Sequence, residues 1–350
     1  MPAASLVDVE RLGPWCEERL PGSGRVHLRR LAAGHSNLTY VVTRDDRAWI
    51  LRRPPAGPLL PTAHDVLREY RVLELLARSD VPVRVPRVTI ACSDESVAGA
   101  PFYLMERAEG VVIRDVLPAW LDEAGRRALG LDLAATLADL HRVDPRPFVA
   151  AGLGRPSGYL ARQLRRWTGQ REGIRAAVAA GGRRARGLPD YDVVRDWLQA
   201  GLPAEQAAAV VHGDYKLDNV VVGPGETPRV AAVLDWEMAT VGDPRADLGY
   251  LLAFWPQDGR AGGGFPLGEL ATSGPGFPSR AEVVAAWEGG TGRRAGSTTW
   301  FETLAVWKLA VLLEASYHRH LAGLTDDPFF ATLDEGVPAL LAHAREVCGA

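Results

Sequence analysis

Residues 212–219 read His-Gly-Asp-Tyr-Lys-Leu-Asp-Asn, and an apolar run that begins at Val230 ends on Asp235. This stretch limits the fold more than any other, because Asp214, Asn219 and Asp235 bracket two short β-prone segments, 220–222 and 230–234. A strand leaving Asn219, a turn, and a strand returning at Asp235 would bring all three polar side chains to one point. One carboxylate facing an acceptor hydroxyl, with an amide and a second carboxylate holding a divalent metal against a nucleotide's phosphates, is the layout that phosphoryl transfer needs. Asp and Asn are also common in plain turns between strands. The complete octet with both flanks in place favours the chemical reading over that one.

The rest of the chain bounds the setting. Its 350 residues suffice for about two lobes or domains. A formal net charge of -3 gives no global argument for nucleic acid or a membrane as partner. Cys16, Cys92 and Cys348 are odd in number, far apart and lack metal-ligand spacing, which suits a reducing cytosol. No apolar run approaches the ~20 residues of a membrane span. The N-terminus opens on an acidic helical stretch rather than a basic-then-apolar signal, so a cytoplasmic location is expected. Only two lysines, Lys216 and Lys308, stand among the 40 basic residues, and one of them lies inside the octet.

Residues 7–20 read as a helix, 25–31, 38–43 and 48–53 as strands, and 65–78 as an amphipathic helix with Val66, Leu67, Tyr70, Leu73 and Leu76 at helical spacing. Segments 86–91 and 101–107 are further strands, the second leading into Ala108-Glu109-Gly110 as a hinge. Beyond it the pattern is helical over 122–143, 157–169, 191–200, 244–254, 280–287, 298–320 and 334–347, broken by the signature strands. The Ala/Arg/Gly stretch 176–187 reads as a flexible loop or the end of a helix. The expected architecture is α+β and two-lobed: a small β-rich front over 1–107 and a larger helical back over 108–350, with a cleft between them.

The octet, with Asp235-Trp236-Glu237, resembles the aminoglycoside phosphotransferase family, whose members have the protein-kinase fold; the likeness runs from about Arg25 to Tyr317. Leu51-Arg52-Arg53-Pro54-Pro55 and Asp235-Trp236-Glu237-Met238-Ala239, with Gly242-Asp243-Pro244, resemble the branch of kinase-like domains associated with acyl-CoA dehydrogenases. The resemblance implies MgATP as phosphoryl donor, with GTP left open, and Asp214 as the base that accepts or orients the acceptor's proton. It implies Asn219 and Asp235 as magnesium ligands and Lys216 as a contact to the transferred phosphate. In the front lobe it places the tip loop Gly34-His35-Ser36-Asn37 over the phosphates and the strand Met105, Glu106 and Arg107 along the purine edge. Arg52 stands where the family has Lys, with Glu69 as its implied partner, and an Arg fork reaches phosphate and carboxylate differently from an ammonium. Arg53 falls on the opposite strand face. His212 and Asp247 are expected to brace the catalytic loop, Glu237 either to support the metal site or to cap a turn, and His141 and His318 to be satisfied helix residues.

The family does not name the acceptor, beyond a small molecule with a hydroxyl. Eight arginines (Arg162, Arg165, Arg166, Arg171, Arg175, Arg183, Arg184 and Arg186) crowd one segment with a single acid, Glu172. If this face lines the acceptor side of the cleft it favours an anionic acceptor such as a hydroxyacyl-CoA; the other reading is a solvated surface. Trp167, Trp255, Trp287 and Trp300 are candidates for aromatic walls or for helix packing. An antibiotic kinase and a nucleotide-binding pseudokinase scaffold are the alternatives, and a protein kinase is disfavoured by the lack of an Ala-Pro-Glu motif.

Overall fold

The computed structural model describes residues 7–31, 37–55, 65–182, 184–223, 225, 227–256, 265–325 and 327–350. Helix α1 (Val9–Arg19) is capped by the Asp8 carboxylate, and its buried Leu12 and Cys16 face the first sheet. Strands β1 (His27–Leu31), β2 (Leu38–Arg44) and β3 (Arg47–Arg53) follow, the last two joined through Asp45, which is left-handed at φ 52. Asp45 also takes the amides of Ser23 and Gly24 at 2.9 Å each, fastening the entry to the sheet. Helix α2 (Val66–Ala77) starts at Asp65, whose carboxylate accepts from the Arg68 amide at 2.9 Å. Strand β4 (Val88–Cys92), the short helix α3 (Glu95–Ala98) and strand β5 (Phe102–Glu106) complete the front.

The five strands form one antiparallel sheet in the order β1-β2-β3-β5-β4. Strand alternation divides its side chains cleanly. Phe102 and Leu104 turn toward α1 with Trp49 and Leu51, whereas Tyr103 and Met105 turn toward α2 with Leu73 and Leu76. Both faces are covered, which explains why β5 is apolar from Phe102 to Met105 without a polar break.

The back is helical: α4 (Glu123–Arg142), α5 (Arg146–Ala150), α6 (Tyr159–Ala180) and α7 (Pro189–Ala200). Then come β6 (Ala209–Val211), β7 (Val220–Gly223), β8 (Arg229–Val233) and β9 (Thr240–Gly242), and finally α8 (Arg245–Ala253), α9 (Arg280–Thr291), α10 (Thr299–Leu321) and α11 (Leu333–Cys348). Asp122 caps α4 through the Gly125 amide at 2.7 Å, and Leu129, Leu133, Leu137 and Leu140 form its buried stripe. Helix α10 is buried through most of its first four turns and carries Lys308 and Glu314 into the interior. Helix α6 runs to Ala180, well past the expected end at 169, because Trp167, Arg171 and Val178 are buried along it and tertiary packing overrides two internal glycines. The three-residue pairing of β6 with β9 and the short helices α3 and α5 were not expected; three to five residues carry too little periodicity to read.

Strands β7 and β8 form the expected hairpin, with Val220 opposite Val233. Val111, just after the hinge, exchanges both backbone hydrogen bonds with Val222 at 3.0 and 2.7 Å, so the link between sheet and helices is tied to that hairpin. Gly110 makes this approach possible: its φ is +134, and a Cβ there would lie 2.1 Å from the Val222 carbonyl oxygen. Gly110→Ala should therefore lower the unfolding free energy by about 1–3 kcal/mol, read as a lower urea midpoint at unchanged m-value.

Candidate active site

The loop after β6 is held from below by one carboxylate. Asp247, in the first turn of α8, accepts from the His212 amide at 2.6 Å and the Gly213 amide at 2.7 Å, and meets His141 Nε2 at 3.2 Å. The Trp287 indole donates to His141 Nδ1 at 2.8 Å; an indole can only donate, so His141 carries its proton on Nε2 and gives it to Asp247. His212 has the same tautomer, because its Nδ1 accepts from the Asp214 amide at 3.1 Å and its Nε2 donates to the Leu234 carbonyl at 2.8 Å. Burial alone would raise the Asp247 carboxyl, but the His141 hydrogen bond and the His212 amide outweigh it and hold the carboxyl below the usual carboxylate range. The bracing expected of His212 and Asp247 is thus their geometry.

The three polar positions of the signature come together. The Asn219 side-chain amide donates to the Asp214 carbonyl at 2.8 Å and to Asp214 Oδ2 at 2.7 Å. This leaves the side-chain oxygen of Asn219, Oδ1, outside these two bonds. The Leu234 amide donates to the Asn219 carbonyl at 2.8 Å and delivers Asp235 beside it. Asp235 is in the left-handed region at φ 63, ψ 62, one of two described non-glycine residues with positive φ. That conformation costs on the order of 1 kcal/mol and is found where surrounding structure over-determines it, commonly at functional sites. An amide oxygen and a carboxylate suit a hard cation such as magnesium, which takes one or two protein ligands and fills its octahedron with phosphates and water.

Asn37, Arg52, Glu106, Arg107, Asn219 and Asp235 all line one cavity of about 260 Å3 between the sheet and the loop. Ser36, and with it most of the tip loop, lies outside the described residues. Arg52 Nη1 is 3.3 Å from Glu69 Oε1 and its Nη2 is 3.0 Å from Asp235 Oδ1, so the implied Arg52–Glu69 pair is present and extends to Asp235. Burial pushes the Glu69 carboxyl up, and the Arg52 guanidinium opposes it. A guanidinium keeps its proton, so Arg52 is the fixed charge of this trio. Glu69 also accepts from the Trp236 amide at 3.2 Å, and Asn37 donates to Glu237 at 3.2 Å. The amides of Glu106 and Arg107 already pair with the Arg87 and Ala48 carbonyls, so contact with a base edge falls to other groups of this strand.

Lys216 lies on the far side of the loop. Its Nζ is 2.7 Å from Asp218 Oδ2 and 4.9 Å from the Phe254 ring centre. Burial alone would lower the ammonium, but Asp214 and Asp218 outweigh it and raise it, so it stays charged. It opens onto a second cavity of about 410 Å3 walled by Leu251, Phe254, Trp255, Leu309 and Leu313. Asp218 and Arg114 line both cavities, a bridging position that spacing along the chain does not reveal.

The basic segment does not line that second cavity. Arg186 pairs with Glu314 at 2.6 Å and Asp334 at 3.0 Å, Arg171 faces Glu314 at 3.7 Å, and Arg162 donates to the Arg155 and Ser157 carbonyls. Arg183 lies outside the described residues. Two of the eight, Arg171 on α6 and Arg186 just beyond it, thus tie this segment to α10 and α11, while Arg165, Arg166, Arg175 and Arg184 are exposed, and the segment carries no argument for an anionic acceptor. Of the four tryptophans only Trp255 walls the cavity; Trp167, Trp287 and Trp300 are packed in the core. Arg68 was also missed: its guanidinium donates to the Leu153, Glu237 and Ala239 carbonyls and ties α2 to the segment after Asp235.

Asp247→Ala should cost about 3–5 kcal/mol by leaving the His212 and Gly213 amides and His141 without their acceptor. The pH dependence has a definite sign. A depressed carboxyl contributes stability that is present above its unfolded value and lost as pH falls through the folded one. Acid titration below about pH 4 should therefore remove stability from the native chain, and the loss should be smaller in Asp247→Asn.

Comparisons with known proteins follow this geometry. Residues 27–283 match the model of the phosphotransferase enzyme family. Acyl-CoA dehydrogenase family member 11 of Rattus norvegicus is 33% identical over 329 residues, 90% of this chain and 40% of that protein. Family member 10 of Mus musculus is 38% identical over 228 residues, 65% of this chain and 20% of that protein. The chain thus spans well under half the length of these curated relatives. Among solved structures, a Ralstonia eutropha protein provisionally assigned as an aminoglycoside phosphotransferase superposes with a TM-score of 0.77 at 29% identity, over 98% of each chain. Macrolide 2'-phosphotransferase type I shares the fold, with a TM-score of 0.61 at 20% identity over 93% of this chain and 95% of its own. The matched span takes in the two-lobed protein-kinase-like architecture, the loop, the hairpin and the cleft, and the chain belongs to the phosphotransferase enzyme family.

Proposed function

We propose that the chain transfers the γ-phosphate of MgATP to a hydroxyl of a small metabolite, and that the acceptor is a hydroxyacyl thioester of the hydroxyacyl-CoA class. The observation that carries the transfer is that Asn219 and Asp235 line one cavity while the Asn219 amide holds Asp214 Oδ2 at 2.7 Å beside it, with Lys216 opening onto a second cavity across the same loop. The front, residues 1–107, is assigned to the nucleotide and the back, 108–350, to chemistry and acceptor. A cytosolic setting fits three unpaired cysteines, and no described helix is long and apolar enough to cross a membrane.

Asp214 orients the acceptor hydroxyl and takes its proton as the hydroxyl oxygen bonds to the γ-phosphorus and the bond to the β-phosphate oxygen breaks, releasing ADP. Lys216 stays protonated and offsets charge on the transferred group once it is freed from Asp218. Arg52 answers the donor's phosphates. Asn219 and Asp235 would hold magnesium, which when bound supplies charge neutralisation at the phosphates.

The second cavity supports this acceptor class. Its walls are apolar and aromatic, and the charges on it, Arg114, Asp115, Lys216, Asp218 and Glu269, are mixed in sign rather than an acidic trough for a polycation. An acyl chain fits such walls, and the names of the curated relatives point the same way.

A coupled ADP-release assay with MgATP, run on panels of hydroxyacyl-CoAs and aminoglycosides, decides this. Turnover on the thioesters is expected, with Asp214→Asn lowering kcat at least about 100-fold. Turnover on aminoglycosides alone overturns the acceptor class. MgATP binding without any turnover that Asp214→Asn abolishes favours a scaffold.

A further inference from the structure

The two lysines of the chain, against 40 basic residues in all, meet at one loop from opposite sides. Lys216 is on the loop itself; Lys308 comes from α10 beneath it and is buried, with 7% of its surface exposed. The Lys308 ammonium donates to the Gly213 carbonyl, the residue before Asp214. Its remaining directions are filled by two aromatic rings, Trp167 of α6 with its centre at 5.5 Å and Tyr250 of α8 at 5.0 Å. Asp214 and Asp247 attract it, and Arg166 of α6 repels it. His141 and His212, neutral in the tautomers derived above, face it only through Asp247.

We propose that Lys308 is a positioning residue for phosphoryl transfer, its ammonium fixing the Gly213 carbonyl from below and, together with Tyr250, holding the Asp214 carboxylate in its reacting orientation. The inference rests on Asp214 as the base. Tyr250 supplies the second contact: after burial, the charge and hydrogen bonding of Asp214 are what raise its phenol well above the ordinary range. The ammonium is the right group for the place. It is a compact charge with three donors, whereas a planar guanidinium is wider and holds its proton at all relevant pH. A buried cation is also costly to stability, and an apolar side chain of similar volume would pack there without that cost. The cation sits where it lowers stability and faces the reacting carboxylate.

Burial pushes Lys308 down to about 8, with Asp214 and Asp247 opposing. Loss of its proton therefore falls within the range of an ordinary rate profile. The sign for stability is equally definite: an unfolded lysine keeps its proton to about 10.5, so the folding penalty is full below pH 8 and is relieved as pH rises from there.

The test uses MgATP hydrolysis, with water in place of the acceptor, followed as ADP release from pH 6 to 10 in wild type, Lys308→Met, Tyr250→Phe and Asp214→Asn. Wild type should lose kcat through an alkaline limb near pH 8 with the Kd for MgATP unchanged. Lys308→Met should lower kcat at least tenfold at pH 7, lose that limb, keep the Kd for MgATP within twofold and show a melting temperature no lower than wild type. Tyr250→Phe, which keeps the ring and deletes the hydroxyl, should lower kcat severalfold without loss of Tm. A Lys308→Met protein with wild-type kcat, or with kcat lost only in step with MgATP affinity and Tm, overturns the proposal. Should that variant not fold, the absence of an alkaline limb in wild type together with full activity of Tyr250→Phe overturns it. If Asp214→Asn keeps activity, the base assignment fails and takes this inference with it; an inactive Asp214→Asn beside an unaffected Lys308→Met sinks this inference alone.

Discussion

Two consecutive amides of the loop, His212 and Gly213, point into a fully buried carboxylate, and most of the site depends on that arrangement. Asp247 supplies the acceptor, α8 holds Asp247 in its first turn, and His141 with Trp287 holds the carboxylate from the far side. With the backbone so fixed, Gly213 adopts φ +86 and Asn219 can reach back to bond the Asp214 carboxylate. A buried charge that accepts several hydrogen bonds is worth far more than an exposed one. The polar chemistry above the loop is therefore no more ordered than this carboxylate allows.

Charge types divide along the same line. Arginine does the tying throughout: Arg68 between α2 and the segment after Asp235, Arg186 and Arg171 onto Glu314, Arg52 across Glu69 and Asp235. A planar fork that reaches two or three acceptors and never loses its proton suits that use. The two lysines are reserved for the loop, where a point charge that answers to its surroundings is wanted.

Much of this was legible in the sequence, and the reason is local. The hairpin between Asn219 and Asp235 is short, its strands are apolar, and its polar ends fall at fixed register, so the meeting of Asp214, Asn219 and Asp235 follows from spacing alone. The pairing of Arg52 with Glu69 was implied by the family resemblance rather than by spacing. What was not legible crosses the chain. Lys308 reaches Gly213 over 95 residues and Arg186 reaches Glu314 over 128, and nothing near either position in sequence announces the partner. Hence of the two readings of the basic segment, an acceptor face or a solvated surface, the exposed Arg165, Arg166, Arg175 and Arg184 fit the second, while the ties of Arg171 and Arg186 fit neither. Helix α6 was cut short for a related reason, since its later turns are specified by burial rather than by propensity.

The hydrogen-bonded pair of Val111 and Val222 has a mechanical meaning. It pins the chain just past Gly110 to the hairpin that bears Asn219 and Asp235, so the sheet cannot shift without disturbing the strands that carry these two residues. The same coupling runs through the interior: Leu73, Leu76, Tyr103 and Met105 of the front share one apolar core with Leu129, Leu133, Val220 and Val233 of the back, and Arg84 donates to the Asp132 carboxylate and the Val230 carbonyl. An anionic visitor to this cavity thus meets walls already joined by apolar burial, and its charge is left to be answered by the Arg52–Asp235 pair between them.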